Sequence, residues 1–279
     1  MSGFSPDWLA LREPADLRAR DAGLLGALAR RLAGREAVTI VDLGCGAGSN
    51  LRALAPALDV PQRWRLVDHD PRLLDAARQR LAAWGGGAAD GAGLALTVGG
   101  RRSDVEFRQA DLAQSVDAAL DPTPDLVTAA AFFDLVSENW IERFVQTLAA
   151  RRLPLYAVLT YDGEERWSPP HAADASVLAA FHAHQGRDKG FGPAAGPRAA
   201  ATLEAALRRH GYAVATAASP WRLGGAEREL IRQLADGIAA AAADTGRVPP
   251  EVARNWAAAR RVALSALIGH VDVLALPPS

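Results

Sequence analysis

Three glycines in the first fifth of the chain have the spacing of a ligand-binding turn. The segment Asp42-Leu-Gly44-Cys45-Gly46-Ala-Gly48 follows a short apolar run, residues 37–42, and precedes a helical pattern over residues 49–58. Glycine lets the backbone bend sharply and approach a ligand without a Cβ in the way. A dinucleotide-binding loop has the spacing Gly-x-Gly-x-x-Gly, which would require glycine where Ser49 stands. The pattern therefore indicates either a different ligand or only a tight strand–helix turn.

Carboxylates follow the next two strand patterns along the chain. The first lies in Leu66-Val-Asp68-His69-Asp70-Pro71 and the second in Gln109-Ala-Asp111-Leu112. One carboxylate can accept hydrogen bonds from both hydroxyls of a ribose, as nucleotide-binding folds do at this place. Asp70 precedes a proline and is better explained as a helix N-cap. Two plainer interpretations stay open, a solvated turn carboxylate for Asp68 and a helix cap for Asp111.

In this order and spacing, the three segments resemble the cofactor motifs of the class I S-adenosylmethionine-dependent methyltransferases. The resemblance covers residues 37–160. It implies that Asp68 holds the ribose and that Asp111 and the backbone N–H of Leu112 hold the adenine. Arg12 is the candidate partner of the methionine carboxylate, because a planar guanidinium suits two oxygens, with a solvated surface arginine as the alternative. The other cofactor contacts implied are Asp42, Gly44, Cys45, Gly46, Gly48, Asn50, His69 and Ala130.

Strand patterns that alternate with helical ones predict a doubly wound, mostly parallel α/β sheet of seven strands, the Rossmann-like methyltransferase fold. Residues 1–36 form an N-terminal helical cap, with helix over 5–34, and residues 37–279 form the cofactor-binding domain. Helical insertions over about 161–197 and 220–268 are expected to form a lid over the acceptor. The Gly/Ala-rich stretch 85–100 is expected to be a loop or a poorly ordered linker. The later helices are predicted over 71–84, 138–149, 174–184, 198–210, 224–243 and 250–267, and the strands over 37–42, 64–67, 105–108, 125–131, 155–160, 212–217 and 269–276.

The methyl acceptor is expected at the carboxyl ends of the strands, where ligands bind in such folds. Asp134 follows strand four, and Tyr161-Asp162 follows strand five. His182 and His184 are two residues apart, so on a helix they point about 200° apart and do not form a chelating pair. Either histidine is a candidate general base. A metal site is therefore not expected.

The glycine- and proline-rich loop 186–197 holds Lys189, the only lysine of the chain. We expect this loop to be a mobile lid over the acceptor, because such lids exclude water from methyl transfer and similar reactions. Lys189 would then meet an anionic group, while a solvated loop lysine is the alternative. Trp221 is a candidate for the pocket wall, although a core tryptophan is the plainer interpretation.

Composition restricts the class of acceptor. The net charge is −1, so there is no overall basic field for nucleic acid. Cys45 is the only cysteine and lies in the glycine turn, which leaves no disulfide, no cysteine metal cluster and no free thiol to attack a pyrimidine. Strand four leads into Ala131-Phe-Phe-Asp134, unlike the Asn-Pro-Pro-aromatic motif of many amine and base N-methyltransferases. No secretion signal or membrane span is recognisable, so a cytoplasmic protein is expected.

The sequence thus favours a methyltransferase that acts on an oxygen atom of a small molecule, without nucleic acid or membrane as partner, as a monomer or homodimer. A protein or RNA methyltransferase, which would need an open charged groove, is the alternative within enzymes. An aminopropyltransferase shares the fold and would not need Arg12. A catalytically inactive cofactor-binding subunit is the alternative outside enzymes.

Overall fold

The apolar runs of the sequence become strands of one mixed sheet. The computed structural model describes residues 4–87, 89–90 and 93–278. Nine strands follow one another in the order β3-β4-β5-β2-β1-β6-β7-β10-β8, and β9 pairs with β10. Their bounds are β1 Val38–Leu43, β2 Gln62–Asp68, β3 Ala89–Asp90, β4 Gly93–Val98, β5 Arg101–Gln109, β6 Leu126–Ala130, β7 Leu155–Ser168, β8 Ala213–Ala218, β9 Trp221–Leu223 and β10 Ser265–Leu276.

The centre of the sheet is parallel. Strands β5, β2, β1, β6 and β7 run in one direction, and β10 is antiparallel to β7, β8 and β9. Ile40 and Val41 in β1 and Val127 in β6 are fully buried, as expected for strands with helices on both faces. The carboxyl ends of the parallel strands meet at one edge, which therefore collects the acidic turns predicted above.

Nine helices of the described chain pack around this sheet. Their bounds are α1 Pro6–Ala19, α2 Ala22–Leu32, α3 Ser49–Leu54, α4 Pro71–Gly85, α5 Glu138–Arg151, α6 Asp174–Gln185, α7 Ala199–Arg209, α8 Arg228–Asp244 and α9 Pro250–Arg260. Asp70 caps α4 through the N–H of Arg72, as predicted. Asp21 caps α2 and separates it from α1, so the predicted helix over 5–34 is two helices. No helix of the described part has the length and apolarity needed to cross a bilayer.

Three expectations about the elements are wrong. The stretch 85–100 includes the strand β4, in which Leu94, Leu96 and Val98 are buried on alternate positions against β5. With β3, β4 and β9 added, the sheet is larger than the seven strands predicted. The last predicted helix, 250–267, ends at Arg260, and Ser265 already begins β10. In each case the pairing with a distant strand overrides a local glycine or alanine signal.

The two insertions lie together beside the sheet. Strand β7 continues to Ser168, so Tyr161 and Asp162 lie within the strand rather than after it. The extended β7–β10 pair packs with α6, α8 and α9 around a separate apolar cluster that contains Trp221 and Trp256. Helical insertions after the fifth and sixth predicted strands are thus present. Their function as an acceptor lid, and the domain boundaries, stay predictions.

Candidate functional site

The glycine turn after β1 requires glycine for steric reasons. Gly44 and Gly46 have φ values of +64° and +53°, a region that other residues rarely adopt. A Cβ on Gly44 would lie 2.6 Å from Cδ2 of Phe132, and one on Gly46 would lie 3.1 Å from Cδ1 of Leu9. The N–H of Cys45 donates to the carbonyl of Val67, and its thiol is buried. Gly48, also at positive φ, is the N-cap residue directly before α3.

Asp68, at the end of β2, accepts a hydrogen bond from the backbone of the glycine turn. Its Oδ2 accepts the N–H of Gly46 at 2.9 Å and its Oδ1 accepts the N–H of Asp70 at 3.0 Å. The residue is only 5% exposed, so the interpretation as a solvated turn carboxylate is wrong. Each oxygen keeps a lone pair for a further donor. His69 beside it has a largely exposed side chain, with Nδ1 3.4 Å from Asp68 Oδ1.

A polar network lies under the same turn. Asn50 donates from Nδ2 to Asp42 Oδ1 at 2.7 Å and to Thr128 Oγ1 at 3.1 Å. Arg20 donates from Nη1 to Asn50 Oδ1 at 2.7 Å. Burial raises the pKa of Asp42 to about 7 against the opposing effects of Asn50 and Arg20. Asp42 Oδ2 and Arg20 Nε are buried and have no hydrogen-bond partner in the described chain. An unpaired buried acceptor and an unpaired buried donor are costly, so their presence in one network, joined through Asn50, makes this a candidate place for a ligand.

Arg12 and Arg20, both near the N-terminus, contact different groups. Arg12 forms a bidentate ion pair with Asp16, at 2.9 and 3.1 Å, and lies 4.9 Å above the ring of Trp221. Trp221 donates from Nε1 to Asp16, so this group lies on the β10 side of the sheet. Arg20, which the sequence reasoning missed, contacts the Asp42 network instead. Its position at the break between α1 and α2 was the only available signal.

The turn after β5 holds the predicted adenine residues. Asp111 accepts the N–H of Ala113 on Oδ1 and the side-chain amide of Gln114 on Oδ2. Asp111 therefore caps a turn. Because residues 112–120 form turns and no helix, the alternative of a helix cap is wrong. Leu112 is buried, and its carbonyl accepts the indole N–H of Trp140. Ala130 is the last residue of β6 and lies on the same edge of the sheet.

One carboxylate oxygen of Asp134, just after β6, has no hydrogen-bond partner. This Oδ1 is buried without a partner in the described chain, and burial raises the pKa of Asp134 to about 6, while backbone hydrogen bonds from Asp134 and Tyr161 and the charges of Arg12 and Lys189 oppose the rise. Burial and then Arg187 lower the pKa of Lys189, while Asp134 raises it. Lys189 and Asp134 are therefore electrostatic neighbours but not a hydrogen-bonded ion pair.

The predicted histidines of α6 contact different groups. His182 Nε2 lies 3.0 Å from the hydroxyl of Tyr161, and His184 Nε2 lies 3.6 Å from Asp244. Of the two, only His182 thus contacts a β7 side chain in these hydrogen bonds and ion pairs. His270 was missed because a single histidine in a strand gives no motif. Its Nδ1 is buried without a partner in the described chain, and its ring lies 5.0 Å from that of Trp221.

The loop 186–197 covers the end of β6. Asp188 Oδ1 accepts the N–H groups of Gly190 and Gly192, and the N–H of Ala195 donates to the carbonyl of Val136. Phe191 packs edge-on against Phe132 and Trp140. The predicted loop is present and anchored, and its movement as a lid stays a prediction.

A pair of substitutions separates the two carboxylates after β2. We expect Asp68→Ala to weaken S-adenosylmethionine binding by roughly 1.5–3 kcal/mol, because charge-assisted hydrogen bonds to the ribose and to the glycine turn are lost. Asp70→Ala, the matched control, should lower the free energy of unfolding by about 1 kcal/mol through the lost cap, with little effect on binding. Calorimetric titration and urea denaturation of both variants measure the two effects. Equal binding by Asp68→Ala and the native protein would contradict the assignment.

Comparison with known proteins shows the fold. No family model and no curated protein matches the sequence. Among solved structures, a cyclopropane-fatty-acyl-phospholipid synthase-like protein from Lactobacillus casei is 17% identical, covers 94% of this chain and 91% of its own, and has a TM-score of 0.53. A cyclopropane synthase from Mycobacterium tuberculosis is 13% identical, with coverages of 97% and 94% and a TM-score of 0.50. A S-adenosylmethionine-dependent methyltransferase from Geobacter sulfurreducens, in complex with S-adenosyl-L-homocysteine, is 15% identical over the whole of both chains, with a TM-score of 0.47.

The chain therefore shares the fold of the two cyclopropane synthase structures, the Rossmann-like methyltransferase fold that its motifs predicted.

Proposed function

We propose that this protein transfers a methyl group from S-adenosylmethionine to an oxygen atom of a small organic molecule. One observation carries the proposal. Beneath a glycine turn, Asp42 Oδ2 and Arg20 Nε are buried without partners in the described chain, and the Asp68 carboxylate lies at the end of the adjacent strand. S-adenosylmethionine carries groups that complement all three. Its ammonium complements Asp42, its carboxylate complements Arg20, and its ribose diol complements Asp68.

The residues of the turn fit this cofactor. Asp42 would accept from the ammonium, Arg20 would donate to the carboxylate, and Asp68 would accept from the ribose hydroxyls. Asp111 and Leu112 would face the adenine. When bound, the cofactor supplies a methyl group already activated on a sulfonium. The protein then has to orient the acceptor and exclude water, which can account for much of the rate acceleration.

Asp134 is the group best placed to orient the acceptor. A buried carboxylate oxygen without a partner suits a hydroxyl that donates a hydrogen bond. The neighbouring cations Arg12 and Lys189 favour the ionised form of Asp134 near neutral pH. Helix α1 and the 186–197 loop cover this region, since Leu9 contacts the glycine turn and Phe191 contacts Phe132. A covered site favours a small acceptor over a protein or RNA.

Transfer from labelled cofactor tests the proposal. We would incubate the protein with methyl-labelled S-adenosylmethionine and, separately, small-molecule, protein and RNA fractions of a bacterial extract. Label should enter the small-molecule fraction, and fragmentation in the mass spectrometer should place the added methyl on oxygen. Asp134→Asn, which keeps the shape and removes the charge, should reduce the transfer. Label in the protein or RNA fraction alone, or a methyl on nitrogen or carbon, would contradict the proposal.

Lys189 gives a further prediction within this proposal. If it meets an anionic group of the acceptor or developing charge, Lys189→Ala should lower turnover by about tenfold, equivalent to ~1.4 kcal/mol of transition-state stabilisation. Cofactor affinity should not change. Arg187→Ala is the control, because Arg187 pairs with Asp244 on α8. Normal turnover of the Lys189 variant with the acceptor found in the extract would exclude a role for this residue.

A further inference from the structure

A phenol, a carboxyl group and an imidazole are joined next to Asp134. The hydroxyl of Tyr161 donates to Glu165 Oε1 at 3.1 Å and lies 3.0 Å from His182 Nε2. Trp167 donates from its indole to Glu165 Oε2 at 3.2 Å. Tyr161 is only 5% exposed. The three groups therefore form one hydrogen-bonded chain from the sheet to α6.

Glu165 lies at the end of this chain opposite His182 and is partly buried beside Tyr161 and Trp167. Burial raises its pKa to about 7, while Trp167 and Tyr161 oppose the rise and Asp174 of α6 adds to it. Near neutral pH both forms of this carboxyl group are therefore accessible. A buried carboxyl group favours its neutral form, so it can hold a proton at little cost.

Tyr161 connects Glu165 with His182 and is itself an electrostatic neighbour of Asp134. Burial and then Glu165 raise the pKa of Tyr161, so the phenol does not ionise near neutral pH. Asp162 and Asp134 add to that rise, and the neutral ring of His270 lies 6.2 Å away. Burial lowers the pKa of His182, which favours its neutral form. A neutral imidazole carries one N–H and one acceptor nitrogen, so it can receive a proton at one atom and release another from the opposite atom.

We propose that His182, Tyr161 and Glu165 form a proton relay that removes the proton of the methyl acceptor and stores it on Glu165. An N–H bond forms at His182 Nδ1 as the acceptor O–H breaks, and the N–H at Nε2 gives its proton to the oxygen of Tyr161. Tyr161 passes its own hydroxyl proton to Glu165 Oε1. The imidazole and phenol end neutral, Glu165 ends protonated, and the acceptor oxygen gains the electron pair that attacks the methyl group.

This relay rests on the proposed function. It gives a role to Glu165, which no sequence motif marks, and to Tyr161, which the sequence marks only by its place at the end of the fifth predicted strand. Glu165 and Tyr161 act as positioning and proton-storing groups behind His182. The alternative is a hydrogen-bonded cluster that only joins β7 to α6. A structural cluster has a fixed arrangement of hydrogens, whereas a relay reverses the direction of both hydrogen bonds when Glu165 changes protonation state.

The tautomer of His182 distinguishes the two possibilities without cofactor or acceptor. We would record nitrogen NMR spectra of the protein labelled in histidine across the neutral pH range, with His182→Gln to assign the signals. Above the pKa of Glu165, Tyr161 donates to the carboxylate and His182 should carry its hydrogen on Nε2. Below that pKa and above the pKa of His182, the hydrogen should move to Nδ1. Tyr161→Phe and Glu165→Gln should each abolish the change, while His184→Gln should leave it intact.

An unchanged His182 tautomer across the titration of Glu165, or the same change in Tyr161→Phe, would overturn the relay. The first of these outcomes is measured on the native protein. It therefore does not depend on whether Tyr161→Phe or Glu165→Gln folds well. A negative result for the relay would not count against cofactor binding or methyl transfer by this protein. Loss of cofactor binding, in contrast, would refute the proposed function while the tautomer change could persist.

Discussion

Asp42→Asn is expected to make the protein more stable near pH 8 and to bind S-adenosylmethionine more weakly. In the folded protein burial raises the pKa of Asp42 to about 7, above its ordinary value of 3.8. Between these two values the folded state binds more protons than the unfolded state, so the contribution of Asp42 to stability falls as the pH rises. Asparagine keeps the shape and removes the buried charge. The gain near pH 8 should be roughly 2–4 kcal/mol, and it should nearly vanish toward pH 4.

The same substitution removes the acceptor for the cofactor's ammonium, so affinity should fall by roughly 10- to 100-fold. In the native protein, binding should strengthen as the pH rises toward 8, because the ionised carboxylate is the form that binds. Urea denaturation and calorimetric titration at several pH values measure both effects. Asp59→Asn removes a charge from an exposed side chain and is the control. A variant that loses stability, or one that binds as tightly as the native protein, would contradict the role of Asp42.

Gly44→Ala is expected to lower the free energy of unfolding by about 2–5 kcal/mol and to abolish cofactor binding. About 1–2 kcal/mol is the cost of placing a Cβ at positive φ, and about 1–3 kcal/mol arises from contact with Phe132. Gly99→Ala is the matched control, because Gly99 has a φ of +55° and a Cβ there would meet nothing within 4 Å. Gly99→Ala should lower the free energy of unfolding only by the cost of a Cβ at positive φ, about 1–2 kcal/mol, and should bind the cofactor normally. Equal destabilisation of the two variants would mean that the turn tolerates a side chain.

The glycine turn and the capped start of α4 could be predicted because their signals are local. Glycine spacing, the Asp-Pro helix start and a carboxylate after each strand are all written in short segments around Gly44, Asp70 and Asp111. Such segments have few alternative structures, because positive φ and capping restrict the backbone directly. The parallel order of the central strands then follows from the alternation of strands and helices.

Other features depend on contacts between distant segments. Arg20 meets Asn50 30 residues away, and no local pattern marks it. Glu165 lies in Asp-Gly-Glu-Glu-Arg, which looks like a solvated charged run. It is partly buried because β7 extends and α6 packs against Tyr161 beside it, so its chemistry depends on tertiary structure. The strand β4 was not predicted for the same reason. The glycines that flank it favour a loop, and only the pairing with β5 makes the segment a strand.

Calorimetric titration of the native protein with S-adenosylmethionine, S-adenosylhomocysteine and NAD tests the central claim most directly. We expect both sulfur-containing ligands to bind at one site per chain with micromolar or tighter affinity, and NAD not to bind, since the glycine turn lacks the spacing for a pyrophosphate. Binding of the two ligands should compete. If neither S-adenosylmethionine nor S-adenosylhomocysteine binds while NAD does, the assignment of this protein as a methyltransferase is wrong.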